Sequence, residues 1–164
     1  MTYEIGGARG TIVDHEAILK KIHAWAESAD CDVLLADARV VFGRDHLETA
    51  VRHAARAQAA GTMVARSVSM EALRYLSGRR QVADAIRTAG IRPGTKGVAI
   101  AVFGEPRLDD LVAALGWSRD DAVLEPTGKS LRTIGISEAE SGPLPTSQRP
   151  DLALEKVALL DLEK

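Results

Sequence analysis

Cysteine and aromatic residues are both scarce in this 164-residue sequence. Cys31 is the single cysteine, which excludes an intrachain disulfide and a cysteine-rich metal site. Aromatic residues make up only 4% of the chain, so the core has to be built from aliphatic side chains. No apolar run approaches the roughly 18 residues of a membrane-spanning helix, and residues 1–9 lack the apolar stretch of a signal peptide. We therefore expect a single-domain cytoplasmic protein that does not bind a membrane or a metal.

Motifs for catalysis and cofactor binding are missing as well. Gly128-Lys129-Ser130 resembles the end of a phosphate-binding P-loop, but Val123 stands where that motif needs its first glycine. HExxH, GxSxG and nucleotide-fold GxGxxG motifs do not occur. His46 and His53 lie about two helical turns apart on one predicted helix, roughly 10 Å, and His15 and His23 are separated similarly. This is too far for a pair to share one metal ion, so we expect the histidines at the surface or at helix caps. The sequence therefore predicts a protein that is not an enzyme and needs no cofactor.

Hydrophobic periodicity predicts several helices and strands. Helices are predicted over residues 14–29, with Asp14 as the N-cap, and over residues 45–60. Residues 97–104 form a continuous apolar run between glycines, which is typical of a central strand covered on both faces. The shorter strand candidates are residues 3–5 and 11–13, taken as a hairpin that turns at Gly6-Gly7, and residues 122–124 at an edge.

The net charge of −2 hides an uneven distribution along the chain. Residues 44–96 contain ten basic and four acidic residues, so this section carries +6 and the remainder carries −8. A basic section in the middle of a mildly acidic protein indicates an anionic partner that docks on a defined face. The alternative is that these arginines lie on solvated helix faces.

The basic section is centred on residues 66–90, a helical pattern that breaks near Ser77-Gly78. Ser69 is a plausible N-cap for the first helix. If the second helix begins near Ser77, Arg79 and Arg80 occupy its positive end, which opposes the helix dipole by roughly 0.3–1 kcal/mol per charge. This placement suggests that something outside the helix, such as a bound anion, compensates.

A last helix is predicted over residues 151–163, after a proline-rich linker at residues 141–150. Its apolar residues cover more than one side: Ala153, Val157 and Leu160 form one stripe, Leu152 and Leu159 another, and Leu154, Ala158 and Leu162 widen the arc. A terminal helix that packs on its own core needs only one apolar face. Either this helix is wedged between other elements, or part of it binds a partner protein.

Three stretches of the chain resemble a known family. They are VFGRDHL at residues 41–47, SMEALRYLSGRRQV at residues 69–82 with Gly90-Ile91 behind it, and LEKVALLD at residues 154–161. Together they resemble the small subunit of the KEOPS complex, the CGI-type PRPK-binding protein family of archaea and eukaryotes. The match spans nearly the whole chain in the right order, and we expect an archaeal member.

The resemblance implies a fold and a function. The implied fold is α/β (α+β), a single domain over residues 1–164 whose mixed, mainly antiparallel sheet is flanked by helices. The implied function is that of a non-catalytic subunit of the complex that makes threonylcarbamoyladenosine in tRNA. Members of this family bind and stimulate the atypical kinase/ATPase subunit, and the archaeal members also hold the single-stranded CCA 3′ end of tRNA.

Two sets of site residues are expected from the resemblance together with the physical features above. The tRNA-binding set is Arg66, Ser77, Arg79, Arg80 and Gln81, and the kinase-binding set is Leu152, Leu154, Val157, Ala158 and Leu159. Tyr75 either stacks on a base or is a core ring. Two other classes stay open, a self-associating structural protein without RNA binding and a small-molecule enzyme that uses a cleft.

Overall fold

The computed structural model describes residues 1–163, which form four strands and seven α-helices. The strands are β1 (Tyr3–Arg9), β2 (Asp32–Asp37), β3 (Gly97–Phe103) and β4 (Ser118–Arg119). The helices are α1 (His15–Ala29), α2 (Arg44–Ala60), α3 (Val68–Ser77), α4 (Val82–Ala89), α5 (Leu108–Ala114), α6 (Glu138–Ser141) and α7 (Pro150–Glu163). Short 3-10 helices cover Ala38–Val40, Asp121–Leu124, Leu131–Ile134 and Thr146–Gln148. None of the helices in this part of the chain is long and apolar enough to cross a membrane.

The four strands form one antiparallel sheet in the order β2-β3-β1-β4. The long strand β3 lies inside the sheet, where Phe103 pairs with Tyr3 of β1 and with Asp32 of β2. Helices cover both faces of this sheet, so the predicted α+β class and the central position of residues 97–104 are confirmed. The N-cap at Asp14 is confirmed too, because its side chain accepts a hydrogen bond from the Ala17 N–H.

The N-terminal hairpin expected from the sequence is wrong. Strand β1 continues through Gly6-Gly7 to Arg9, and residues 11–13 are not a strand. The two glycines mark close packing instead of a turn: a Cβ on Gly7 would lie 2.5 Å from Cγ2 of Val123, and one on Gly6 would lie 2.5 Å from Nη2 of Arg119. Strand β1 therefore continues past the two glycines and pairs with β3 along its whole length.

The segment that covers these glycines also differs from its prediction. Residues 122–124 belong to the 3-10 helix Asp121–Leu124, and the edge strand is the two-residue β4. Asp120 caps this 3-10 helix through the Ala122 N–H, and the Asp121 carboxylate accepts from the Gly7 N–H. Such side-chain hydrogen bonds to the backbone compete with strand pairing. The apolar run Ala122-Val123-Leu124 therefore does not form a strand.

Alternating side chains of β3 divide the interior into two cores. Val98, Ile100 and Val102 pack with residues of α1 and α5 on one face. Ala99, Ala101 and Phe103 pack with residues of α2, α3, α4 and α7 on the other. Two-residue periodicity requires this separation, because successive side chains of a strand point to opposite faces.

The face that receives α2 and α3 is built largely from alanine. Ala50 and Ala54 of α2, Ala72 of α3, and Ala99 and Ala101 of β3 have no exposed surface. Small side chains let the helix backbones approach the sheet closely, and interiors tolerate few voids. The expectation of a core with few aromatic rings is confirmed on this face, where Phe42, Tyr75 and Phe103 are the buried aromatic residues within the described chain.

A buried ion pair fixes both ends of α3. The Glu71 carboxylate accepts hydrogen bonds from the N–H groups of Val64 and Ala65, at 3.1 and 2.8 Å, and from Nη1 of Arg74 at 2.9 Å. Nε of Arg74 donates to the carbonyl of Arg80 at 2.6 Å. Both charged side chains are at most 2% exposed. The pair thus joins the chain that enters α3 to the chain that leaves it.

We predict that Arg74→Met lowers the free energy of unfolding by about 3–5 kcal/mol, because it removes the positive charge that offsets the buried Glu71 carboxylate. The matched control is Arg87→Met, which breaks another i,i+3 pair, with Asp84, at the surface. That change should cost about 1 kcal/mol or less. Urea unfolding of the two variants measures the difference. Equal losses would show that burial of the Glu71–Arg74 pair has no energetic consequence.

Candidate functional site

The loop between α3 and α4 carries the two adjacent arginines of the basic section. Gly78 ends α3 in the left-handed conformation, with φ of 69°. The N–H groups of Gly78 and Arg79 bond back to the carbonyls of Tyr75 and Arg74, in the manner of a Schellman cap. The second helix then begins only at Val82. The helical pattern breaks near Ser77-Gly78, as the sequence indicated, but the second helix does not start at Ser77. Arg79 and Arg80 therefore precede α4 and do not oppose its dipole from within its first turn.

The buried Ser77 stabilises this loop through two hydrogen bonds between its hydroxyl and the backbone. It has no exposed surface, its Oγ donates to the Arg74 carbonyl at 3.1 Å, and it accepts from the Arg79 N–H at 3.2 Å. Its hydroxyl is therefore engaged inside the protein, and the prediction that Ser77 contacts RNA is corrected. Arg80 and Gln81 are exposed, and Arg79 is half-buried.

Arg66 lies at the other end of α3, apart from this loop. It is exposed and precedes Ser67, the N-cap whose Oγ accepts from the Met70 N–H. Because α3 has ten residues, its length separates Arg66 from Arg79 by about 15 Å. The structure brings together Arg79, Arg80 and Gln81 of the predicted tRNA-binding set and leaves Arg66 outside the cluster.

Ser69, the N-cap predicted from the sequence, has a different role. Its N–H and its hydroxyl both donate to the Asp32 carboxylate, each at 2.8 Å. Asp32 begins strand β2, so it satisfies donors at the start of α3 from another element. The local N-cap of α3 is Ser67, and Ser69 is bound instead by a side chain 37 positions away.

Tyr75 is a core ring and is not available to stack on a base. It has no exposed surface, and its ring centre lies 5.2 Å from that of His53 on α2. Its hydroxyl donates to Asp161 on α7, and the other Asp161 oxygen lies 2.6 Å from Nδ1 of His53. Burial, reinforced by the Asp161 hydrogen bond, raises the pKa of Tyr75. These contacts attach α7 to α2 and α3.

Helix α7 buries one stripe and exposes another. Ala153, Val157 and Leu160 are buried, as their spacing predicts. Val157 has no exposed surface, which corrects its place in the predicted kinase-binding set. The remaining apolar residues are the half-buried Leu152 and Leu154 and the exposed Ala158, Leu159 and Leu162. By helical periodicity Leu154, Ala158, Leu159 and Leu162 lie on the side away from the core, and we call these four residues the outer face of α7.

Two further residues of the sequence motifs have structural roles. Lys129, from the P-loop-like tripeptide, donates from Nζ to the carbonyls of Val41 and Val123, at 2.7 and 2.6 Å. Burial lowers the pKa of Lys129 to about 8. His46, expected at the surface or at a cap, is 1% exposed, and its Nδ1 accepts from the Phe42 N–H at 3.1 Å. Both side chains make hydrogen bonds to backbone groups near Phe42. The sequence motifs that contain Lys129 and His46 do not reveal these contacts.

We predict that His46 makes stability depend on pH. Burial lowers the pKa of His46 to about 4, so between about pH 6.5 and pH 4 the unfolded chain binds a proton that the folded chain does not. Its contribution is complete above the unfolded pKa and is lost as pH falls. We expect a loss of roughly 2 kcal/mol between pH 7 and pH 5 from this residue.

Urea unfolding at these two pH values tests the His46 prediction. His46→Asn places an amide oxygen near the position of Nδ1 as an acceptor for the Phe42 N–H but cannot be protonated, so its loss across this interval should be smaller. His23→Asn, on the exposed side of α1, is the control that should retain the original pH dependence. The same slope in His46→Asn as in the unchanged protein would contradict the prediction.

Comparison with protein-family models gives a match over most of the chain. A family model described as kinase binding protein CGI-121 matches residues 11–134. The matched segment includes α1 to α5 and the whole α3–α4 loop, and it ends with the 3-10 helix Leu131–Ile134, before α7. No curated protein matches the chain.

Proposed function

Because the chain belongs to the CGI-121 family of kinase-binding proteins, we propose that it is the non-catalytic KEOPS subunit that binds and stimulates the atypical kinase/ATPase of that complex. We further propose that it helps to hold the CCA 3′ end of tRNA during threonylcarbamoyladenosine synthesis. Family membership supports a kinase-binding regulatory role. The two surfaces described above support the assignment of residues to each partner.

The outer face of α7 is the observation that carries the kinase proposal. Leu159 is 44% exposed and Leu162 is 82% exposed, although α7 already buries a complete stripe against α2 and α3. Helical periodicity places Glu155 among these apolar residues and Asp151 one turn before them on the same side. Exposed apolar patches of this kind mark protein interaction sites, because burying them in an interface removes apolar area from water.

We predict that Leu159→Glu prevents the kinase subunit from co-purifying with this protein and leaves the fold intact. The matched control is Leu19→Glu on α1, since Leu19 is 45% exposed but lies on the opposite layer of the protein. Circular dichroism and thermal unfolding establish that both variants fold. If the kinase is retained by Leu159→Glu, or lost equally with Leu19→Glu, the outer face of α7 is not the docking surface.

The α3–α4 loop is the observation that carries the RNA proposal. Arg80 and Gln81 are exposed, and Arg74 holds the Arg80 carbonyl so that the loop is fixed in place. The side chain of the N-cap residue Gln81 does not cap α4, so the first N–H groups of this helix are available to an anion beside the arginines. Because Tyr75 is buried, we expect phosphate contacts to contribute more than base stacking, which makes RNA binding strongly salt-dependent.

We predict that Arg79→Glu with Arg80→Glu abolishes tRNA binding and leaves the kinase complex intact. The control is Arg52→Glu with Arg56→Glu, which makes the same charge change on exposed residues of α2. Electrophoretic shift at fixed salt concentration should show loss of binding only in the first variant. Equal loss in both variants would indicate general electrostatic attraction, and unchanged affinity in the first would exclude the loop.

The outer face of α7 also supports a second candidate, self-association without RNA binding. A second copy of the chain could cover Leu159 and Leu162 as a kinase would. Light scattering of the isolated protein separates the two, because self-association predicts a dimer mass that Leu159→Glu reduces to that of a monomer.

A further inference from the structure

Strand β2 forms one border of the sheet. Strand β3 pairs with one side of β2, and within residues 1–163 no strand pairs with its other side. In an antiparallel sheet the N–H and C=O of one residue point to the same side, and successive residues alternate between the two sides. The Gly104 N–H bonds to the Thr2 carbonyl at 2.8 Å, in register with the β1–β3 pair. The even-numbered residues of β3 therefore face β1, and its odd-numbered residues face β2.

This alternation directs every second main-chain group of β2 away from the sheet. The odd-numbered Ala101 of β3 pairs with Leu34 of β2. Because Leu34 therefore faces β3, its neighbours Val33 and Leu35 point their N–H and C=O groups outward. The Val33 N–H agrees with this direction, because it donates to the carboxylate of Asp32 at 2.9 Å instead of to β3.

Leu35 has an unpaired main-chain donor and acceptor at the centre of this edge. Its N–H and C=O make no hydrogen bond on the outer side within residues 1–163, although Leu35 is only 7% exposed. Main-chain groups that lack a partner and have little access to water are unfavourable. Asp32 covers the Val33 N–H at the start of the strand, as proteins often protect a free edge, but the centre remains open.

A groove of about 650 Å³ runs along this edge between two helices, and we call it the edge groove. Ile22 and Ala26 of α1 line it, together with Leu35 of β2 and with Ser69 and Met70 at the start of α3. Helices α1 and α3 lie on opposite faces of the sheet, so the groove has a wall on each side and admits one extended chain. A second copy of the protein could not bring its own β2 edge here, because its α1 and α3 would collide with those of the first.

We propose that the edge groove binds an extended apolar segment of a partner protein, which adds to β2 as a fifth strand of the sheet. A strand that lies about 4.8 Å from β2 can pair its backbone with the N–H and C=O of Leu35. The apolar side chains of Ile22, Ala26 and Met70 favour apolar side chains in the segment. The edge groove lies at the border of the sheet, and its proposal does not depend on the two surfaces proposed above.

Two charges on α1 define the ends of the partner segment. Lys20 and Glu27 are exposed, and both line the edge groove. Their positions on α1 are about 10 Å apart by helical rise, which corresponds to about three residues of an extended chain. Alternate side chains of a strand share a face, so two residues four positions apart can reach both charges. The segment should therefore carry a basic residue near Glu27, an acidic residue near Lys20 and apolar residues between them.

Hydrogen exchange of single amides in the full chain tests whether the edge is free. The Leu35 N–H should exchange at least about tenfold faster than those of Leu34 and Ala36, which face β3. Equal protection of the three amides in the protein alone would overturn the proposal. Protection of Leu35 that rises with protein concentration would identify a second copy as the occupant, which would also overturn it.

Two peptides test strand addition, acetyl-Glu-Val-Ile-Val-Lys-amide and acetyl-Lys-Val-Ile-Val-Glu-amide. We expect at least one of them, at up to millimolar concentration, to shift the NMR signals of Val33 and Leu35 and to slow exchange of the Leu35 N–H. That peptide is then methylated on alternate backbone nitrogens, in the two possible sets. Only one set should abolish binding, because every second N–H of an added strand faces β2. Equal effects of both sets, or no change at Leu35 with either peptide, would contradict strand addition.

A charge exchange tests the ends of the segment. The unchanged protein should bind one of the two peptides about threefold more tightly than the other, and Lys20→Glu with Glu27→Lys should reverse this preference. The control is Glu16→Lys with Lys21→Glu, which makes the same exchange on exposed residues of α1 outside the groove and should keep the original preference. Equal affinities for the two peptides, or a preference that both variants change alike, would show that Lys20 and Glu27 do not select the segment.

Discussion

The buried ion pair of Glu71 and Arg74 determines how the side of the protein that carries the proposed binding surfaces is arranged. The Glu71 carboxylate accepts hydrogen bonds from N–H groups of the chain before α3, and Arg74 donates a hydrogen bond to the Arg80 carbonyl after α3. A pair with so little exposed surface requires these added hydrogen bonds, because desolvation would otherwise exceed the attraction between the charges. The consequence is a rigid α3–α4 loop. A loop fixed in this way presents cations to a ligand with less entropy to lose on binding.

Both proposed surfaces lie on the same side of the sheet. The core on that side joins α2, α3, α4 and α7, whereas α1 and α5 cover the opposite face. Asp161 attaches one flank of α7 to His53 and Tyr75, and Lys156 lies on the other flank, beside Gly78 and Arg79. The terminal helix therefore contributes to the core and to the proposed docking face. Because α7 packs against the α3–α4 loop, a movement of this loop would reach a partner bound to α7 through direct contacts.

Sequence periodicity and capping predicted α1, α2, β3 and the buried stripe of α7, because these features depend on neighbours within one element. The inward direction of Ser77 was not predictable, and the sequence left Tyr75 open between a base-stacking ring and a core ring, since α3 packs against α2, α4 and α7 and almost all of its residues are buried. The burial of His46 depends on the Phe42 N–H and on packing beyond its helix.

The alanine-rich core also limits how this protein can vary in sequence. The side chains of Ala50, Ala54, Ala99 and Ala101 are single buried methyl groups, so replacing them with a larger apolar residue adds volume to the core. Each enlargement would push a helix away from the sheet, at about 1–3 kcal/mol for an overpacked site. The opposite core, with Val98, Ile100 and Leu111, can exchange aliphatic side chains of similar volume at lower cost. We therefore expect evolutionary drift to be concentrated on the α1 and α5 side, while the side with the proposed binding surfaces stays nearly fixed for reasons of packing alone.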